Sequence, residues 1–199
     1  MTTIFYLQAS GRHAASQSRA LADELITRLR AAHPGARVVE RDVSNGLPYP
    51  TEQSISASFT PDDQRTPEQR ALLATSDQLI DELMSADIMV LAVPMYNFSV
   101  PGALKVWIDQ VVRSGRTFKF LKGGGYEGLV PNRPTYVVAT AGGVPMGSPM
   151  DHLTPFLRTL LGFLGITSVE FIYAGGTNTA AAADVMAQAR AQIAALKVA

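Results

Sequence analysis

The chain has 199 residues, 47% apolar and 17% charged, a composition that supports one folded domain with a substantial core and excludes disorder. Seventeen Lys plus Arg balance seventeen Asp plus Glu, and neither nucleic acid nor an anionic membrane selects such a surface. Cysteine is absent, which removes disulfides, thiolate nucleophiles and thiolate-bound zinc or iron–sulfur clusters.

The opening MTTIFYLQAS lacks the basic start and apolar length of a secretory signal. No apolar run approaches the ~20 residues of a membrane span. The expectation is a single domain over 1–199, soluble and cytoplasmic. TIFYLQA (3–9) reads as a first strand, and a helix follows with Leu21, Leu25 and Leu29 repeating every four residues. RVVERDV (37–43) is a second strand. Thr66-Pro67-Glu68-Gln69 reads as a capping box with Pro in the first turn, opening a helix with Leu72, Leu73, Leu79, Ile80 and Leu83. DIMVLAV (87–93) and TYVVATA (135–141) are nearly continuous apolar runs, as central parallel strands covered on both faces require. Between them PGALKVWIDQVV predicts a helix; PFLRTLLGFLG, the strand VEFIYAG (169–175) and an alanine-rich helix complete the chain. Segments 44–65 and 114–133 read as long Gly/Pro/Ser-rich insertions.

Strands alternating with helices predict an α/β fold. The expected form is a flavodoxin-like, five-stranded parallel sheet in the order 2-1-3-4-5 with helices on both faces. Ligands of such sheets bind beyond the carboxyl ends of the strands at the switch point, where three loops should meet. The first carries Ser10, Gly11, Arg12, Ser16, Gln17 and Ser18 ahead of a helix. It has neither a GxxxxGK[ST] nor a GxGxxG spacing. It reads as a site for a single phosphate monoester, or equally as a helix start with Ser16 or Ser18 as plain N-cap. The second, PMYNFS (94–99), sets Met95, Tyr96 and Phe98 to pack on a planar ring and Asn97 to hydrogen-bond its edge. The third carries Gly142-Gly143, which permits close backbone approach or a plain turn. One phosphate and one ring describe a mononucleotide, which in this fold is usually FMN.

The run PMYNFSVPGALKVWIDQVVRSGRTFKF, with SGR…SQS, GLV, AGG and LGFLGI around it, resembles the bacterial FMN-dependent NADH:quinone oxidoreductase and azoreductase family over nearly the whole chain. The resemblance implies a flavodoxin-like homodimer with two FMN sites at its interface. It implies an enzyme that reduces quinones and azo compounds by two electrons from NAD(P)H in a ping-pong cycle, hydride passing to flavin N5 and then to the acceptor. Carried over by position, it assigns the FMN phosphate to Ser10, Ser16, Gln17 and Ser18. The ring falls to Pro94, Met95, Tyr96, Asn97 and Phe98 on one side and to Thr140, Ala141, Gly142 and Gly143 on the other. Backbone N–H groups at Asn97 would face N5 or O4, and those at Gly142 and Gly143 the N1–O2 edge. Two positions depart from the family pattern: Gly11 stands where SPR is common, and Thr140-Ala141 where a polar residue with Arg or Ser often precedes Gly-Gly.

Phe120 and Phe163 read as a lid that stacks substrate, or equally as core or interface packing, and the glycine-rich 120–130 loop as a mobile tuner of substrate size. His13, His33 and His152 are too scattered for a metal site, and no metal is expected. The Asp151-His152 pair invites an acid/base role that the reaction does not need. NADH is favoured over NADPH because no arginine cluster suits a 2′-phosphate. The rival reading is a one-electron flavodoxin-type carrier, which is usually strongly acidic, unlike this chain. A third is a non-catalytic redox sensor.

Overall fold

A strand at Thr3–Gln8 (β1) leads into a helix at Gln17–Ala32 (α1), and the strand Arg37–Asp42 (β2) follows. Two helices come next, Glu52–Phe59 (α2) and Pro67–Met84 (α3), then the strand Ile88–Pro94 (β3) and the helix Gly102–Val111 (α4). Two short strands, Phe118–Phe120 (β4) and Tyr126–Gly128 (β5), precede Thr135–Ala141 (β6), the helix Thr154–Leu164 (α5), Val169–Gly175 (β7) and Ala182–Ala195 (α6). This is a computed structural model, and it describes residues 1–198. Five strands pair in parallel in the order β2-β1-β3-β6-β7, the expected 2-1-3-4-5 arrangement of the main sheet. No described helix is long and apolar enough to cross a membrane.

The alternation of side chains along each strand explains why β3 and β6 are apolar throughout. Phe5, Leu7, Met89, Leu91, Val93, Val137 and Ala139 point to one face, where Leu79, Ile80 and Leu83 of α3, Trp107 of α4 and Leu161 of α5 cover them. Ile4, Tyr6, Val90, Ala92 and Val138 point to the other, under Leu21, Leu25 and Leu29 of α1 and Ile193 of α6. The capping box at Thr66 and Gln69 is present. Leu72, on the same helix, is exposed.

Both inserted segments are ordered elements rather than open loops. In the first, Thr51 and Ser54 cap α2 reciprocally, a box with Ser where Glu or Gln is usual. In the second, β4 and β5 form an antiparallel hairpin, so the 120–130 stretch is a built turn. Gly123, Gly124 and Gly125 at its tip all adopt positive φ, backbone that other residues enter at a cost. The hairpin lies hard on the end of α5: a Cβ at Gly128 would fall on the backbone of Leu164 and Gly165.

Candidate functional site

A cavity of ≈ 210 Å³ opens at the carboxyl ends of the strands. After β1 it is lined by Ser10, Arg12, Ala15, Ser16 and Gln17; after β3 by Pro94, Met95 and Tyr96. Thr140 and Gly142 line it after β6, and Thr177 and Asn178 after β7.

One end of the cavity is a helix N-terminus. Ser16 is the N-cap of α1, its Oγ accepting from Arg19 N–H at 3.3 Å. A hydroxyl accepts twice and donates once, so Ser16 keeps a proton to offer; its nearest neighbour is Ser18 Oγ at 3.2 Å. The N–H groups of Gln17 and Ser18 take no acceptor among the described residues, as the first turn of a helix leaves them. Capping and anion binding are therefore compatible here. Beneath the loop lies Arg19, whose side chain is 10% exposed. Its Nη2 donates to the Ser10 carbonyl at 2.7 Å and to Asp42 at 2.9 Å, and its Nη1 donates to Gln8. Burial pushes the Asp42 carboxyl up, but hydrogen bonds from Ser44 and Arg19 outweigh it and hold the group below the ordinary range. The ion pair thus fixes the carbonyl of Ser10, whose hydroxyl lies 3.4 Å from the Tyr96 phenol oxygen.

The other end is backbone. Met95 N–H donates to Thr140 O at 2.7 Å, tying the end of β3 to the end of β6. Tyr96 and Ser99 then exchange both hydrogen bonds, at 3.0 and 3.1 Å, and close a two-residue turn. Its central residues, Asn97 and Phe98, have φ of 48° and 72°, as a type I′ turn demands. Asn tolerates this conformation; Phe there costs on the order of 1–3 kcal/mol. The turn leaves the N–H groups of Asn97 and Phe98 without acceptors among the described residues, while Phe98 O accepts from His152 N–H at 3.1 Å.

His152 is held in turn by its neighbour. Asp151, buried, accepts from Gly147 N–H at 2.9 Å, Leu153 N–H at 3.1 Å, Thr154 N–H at 3.0 Å and Thr154 Oγ1 at 2.5 Å. Burial pushes its carboxyl up, and these bonds outweigh that and hold it low. An acceptor so committed is a clamp between the 142–150 loop and α5, not a proton donor at neutral pH. Tyr173, pushed up to about 12 by burial and by Asp151, donates to Val144 O at 2.8 Å and fixes the same loop.

Of the residues expected from the sequence, Ser10, Ser16, Gln17, Pro94, Met95, Tyr96, Thr140 and Gly142 line the cavity. Ser18 is buried behind Ser16. Asn97 and Phe98 form the turn that follows Tyr96. Ala141 is buried, its carbonyl taken by Gly176 N–H, Thr177 N–H and Thr177 Oγ1, and Gly143 is exposed beyond it. Phe120 and Phe163 do not line the cavity. They sit in an aromatic group in which Phe163 packs on Phe118 and Tyr126, with ring centroids 4.7 and 4.4 Å apart, while Phe120 meets Phe118 edge-on. Sequence reasoning missed Arg19, Thr177 and Asn178. For the last two a signal existed: the Gly175-Gly176 pair at the end of β7 marks a turn at the same end of the sheet.

The chain matches the family described by its flavodoxin-like fold over residues 2–196. It is 50% identical over 174 residues, 87% of this chain and 85% of the relative, to FMN-dependent NADH:quinone oxidoreductase 1 of Hahella chejuensis. To the FMN-dependent NADH:quinone oxidoreductase of Burkholderia pseudomallei it is 45% identical, over 98% of this chain and all of the relative. Among solved structures, an azoreductase from Bacillus anthracis superposes with a TM-score of 0.88 at 26% identity, covering 98% of this chain and 97% of the other.

Proposed function

This chain belongs to the flavodoxin-like-fold family, among relatives that are FMN-dependent NADH:quinone oxidoreductases, and from that premise we propose how its residues divide the work. It is an FMN-dependent oxidoreductase that carries electrons from NADH to quinones, with azo compounds as a second class of acceptor. The observation that carries the reading is the pairing of two unlike ends in one cavity. A helix N-terminus with spare N–H and hydroxyl groups suits one phosphate. A strained turn with spare N–H groups suits the polar edge of a ring.

FMN, when bound, supplies the ring that takes and gives hydride. In this proposal Ser10, Ser16, Gln17 and Ser18 hold the phosphate. Pro94, Met95 and Tyr96, with the turn at Asn97 and Phe98, form one wall of the ring site, and Thr140 to Gly143 form the other. The N–H groups of Asn97, Phe98 and Gly142 are preorganised to stabilise negative charge on the ring edge. No acid or histidine lines the cavity, so water supplies the proton that the acceptor needs. Nicotinamide and acceptor use the same seat in turn.

We propose a homodimer, and the size of the cavity supports it. At ≈ 210 Å³ it is smaller than the roughly 300–1,000 Å³ of a typical small-molecule pocket, and a second copy would supply a further wall. The chain exposes Phe98, Phe120, Tyr126, Met146 and Met150, and also Tyr49, Ile55 and Phe59. Apolar exposure on this scale marks an interface. Phe120, exposed and edge-on against Phe118, is the proposed stacking surface for acceptors. The donor preference is for NADH and the compartment is the cytoplasm.

The test is anaerobic stopped-flow with the purified, FMN-loaded protein, followed by steady-state turnover with a quinone panel and an azo dye. Rapid bleaching of the flavin by NADH and turnover of a quinone are expected. A protein that takes up no FMN, or whose flavin NADH leaves oxidised, ends this reading. Bleaching without turnover would instead indicate a redox sensor.

A further inference from the structure

We propose that Asn178, in the segment after β7, is a further flavin-binding residue, contacting the part of the cofactor that FMN and riboflavin share. The inference rests on the FMN reading above and adds a fourth strand end to a site otherwise assigned to three.

Three observations meet at this residue. First, Thr177 and Asn178 line the same cavity as Ser16, Met95 and Gly142. Second, the segment is clamped to the end of β6. Gly176 N–H donates to Ala141 O at 2.9 Å, Thr177 donates to the same oxygen through N–H and Oγ1, both at 3.0 Å, and Asn178 N–H donates to Gly142 O at 2.9 Å. These bonds continue the β6–β7 pairing past the strands, so the position of Asn178 is set by the sheet. Third, the side-chain amide lies against the α-carbon of Gly142: a Cβ built there would stand 2.9 Å from Asn178 Nδ2. Glycine at 142 is what lets the amide occupy this place.

The amide is exposed and makes no hydrogen bond among the described residues. It offers two donors and an acceptor beside the wall assigned to the ring. The hydroxyls of a polyol chain and the polar edge of a pyrimidine offer both partners. Asn178 bonds to and packs against Gly142, on the wall assigned to the ring, so the proposal gives it the polyol or the ring edge rather than the phosphate. This also bears on the Thr140-Ala141 departure: a side-chain contact absent at Ala141 is replaced from the neighbouring strand end.

The test is titration of apoprotein with FMN and with riboflavin, followed by flavin fluorescence, for wild type, Asn178→Ala and Ser16→Ala, with thermal unfolding of each apoprotein. Because the Asn178 side chain has no partner in the fold, Asn178→Ala should leave apoprotein unfolding unchanged. It should weaken both flavins by a similar factor, roughly three- to tenfold, as loss of one hydrogen bond implies. Ser16→Ala should weaken FMN alone. Wild type that binds both flavins while Asn178→Ala binds them equally well overturns the inference and leaves the oxidoreductase reading standing. Loss confined to FMN also overturns it, since that would place the amide at the phosphate. Wild type that takes up neither flavin removes the FMN reading and the inference together.

Discussion

The two ends of the cavity are built on opposite principles. The end at Ser10–Ser18 is made of side chains on a regular scaffold: a serine cap, a helix N-terminus and a buried ion pair behind them. The end at Asn97 and Phe98 is made of backbone in an unfavourable conformation, kept there by the Tyr96–Ser99 pair and by the bond from His152 N–H to Phe98 O. The first can be stable by itself. The second persists only while its surroundings hold it. If that contrast is right, substitutions should act at the first end through charge and hydroxyls and at the second through conformation.

The largest effect is expected at Arg19. Arg19→Met keeps the volume but leaves Asp42 without its cation and the Ser10 carbonyl without its donor. Breaking such a pair costs about 3 kcal/mol, measured by urea unfolding of the apoprotein. FMN affinity should fall as well, because the loop loses its support. Retained stability together with retained affinity would mean that the ion pair does not organise this end.

Next is the clamp on the other end. Asp151→Ala strands four donors, at a cost of about 2 kcal/mol. It should also loosen the His152–Phe98 bond that braces the turn, so flavin affinity falls although Asp151 does not line the cavity. Destabilisation with wild-type flavin affinity would separate the clamp from the site.

The same contrast explains what could be read from the sequence. The sheet was legible because central parallel strands need long apolar runs, and residues 87–93 and 135–141 have few other readings. The serine-rich loop was legible because its chemistry resides in side-chain identity. The turn was legible only as the odd composition of PMYNFS; nothing in those letters gives φ of 72° at a phenylalanine. Arg19 was missed because an arginine in a helix normally faces solvent, and only the approach of Asp42 on a distant strand buries it. Asn178 was missed because its place is set by pairing between strand ends far apart in sequence. The inserted segments read as loops because α2 spans eight residues and β4 and β5 three each, too short to show a period.

Phe98 allows strain to be separated from side-chain chemistry. Phe98→Ala removes the ring but keeps a Cβ at positive φ; Phe98→Gly removes the ring and the strain. The glycine variant should be more stable than the alanine variant by about 1 kcal/mol, read from thermal unfolding, while both lose the aromatic surface. Equal stabilities would mean that the turn is not strained, and the contrast between the two ends would fail.

The smallest effect is a pH dependence, and its direction follows from the clamp. The Asp151 carboxyl sits below its ordinary value of 3.8 because hydrogen bonds outweigh burial. A carboxylate depressed in the folded state binds fewer protons there than in the unfolded chain at the same pH. Its stabilisation is therefore complete above the ordinary value and is lost as pH falls through the lowered one. Asp151→Asn cannot carry that charge, so its deficit against wild type should be constant from neutral pH down to about pH 5. The deficit should then shrink below pH 4 as the wild-type carboxyl takes up its proton. Asp42, depressed by Ser44 and Arg19 against its own burial, titrates over the same acid range, so the wild-type curve contains both ends of the cavity. Subtracting the Asp151→Asn curve leaves the part that belongs to Asp151, and the variant's own curve keeps the part that belongs to the ion pair. If the gap between the two proteins is the same at pH 3 as at pH 7, Asp151 is not held as a carboxylate, and the turn at Phe98 is braced by something other than charge.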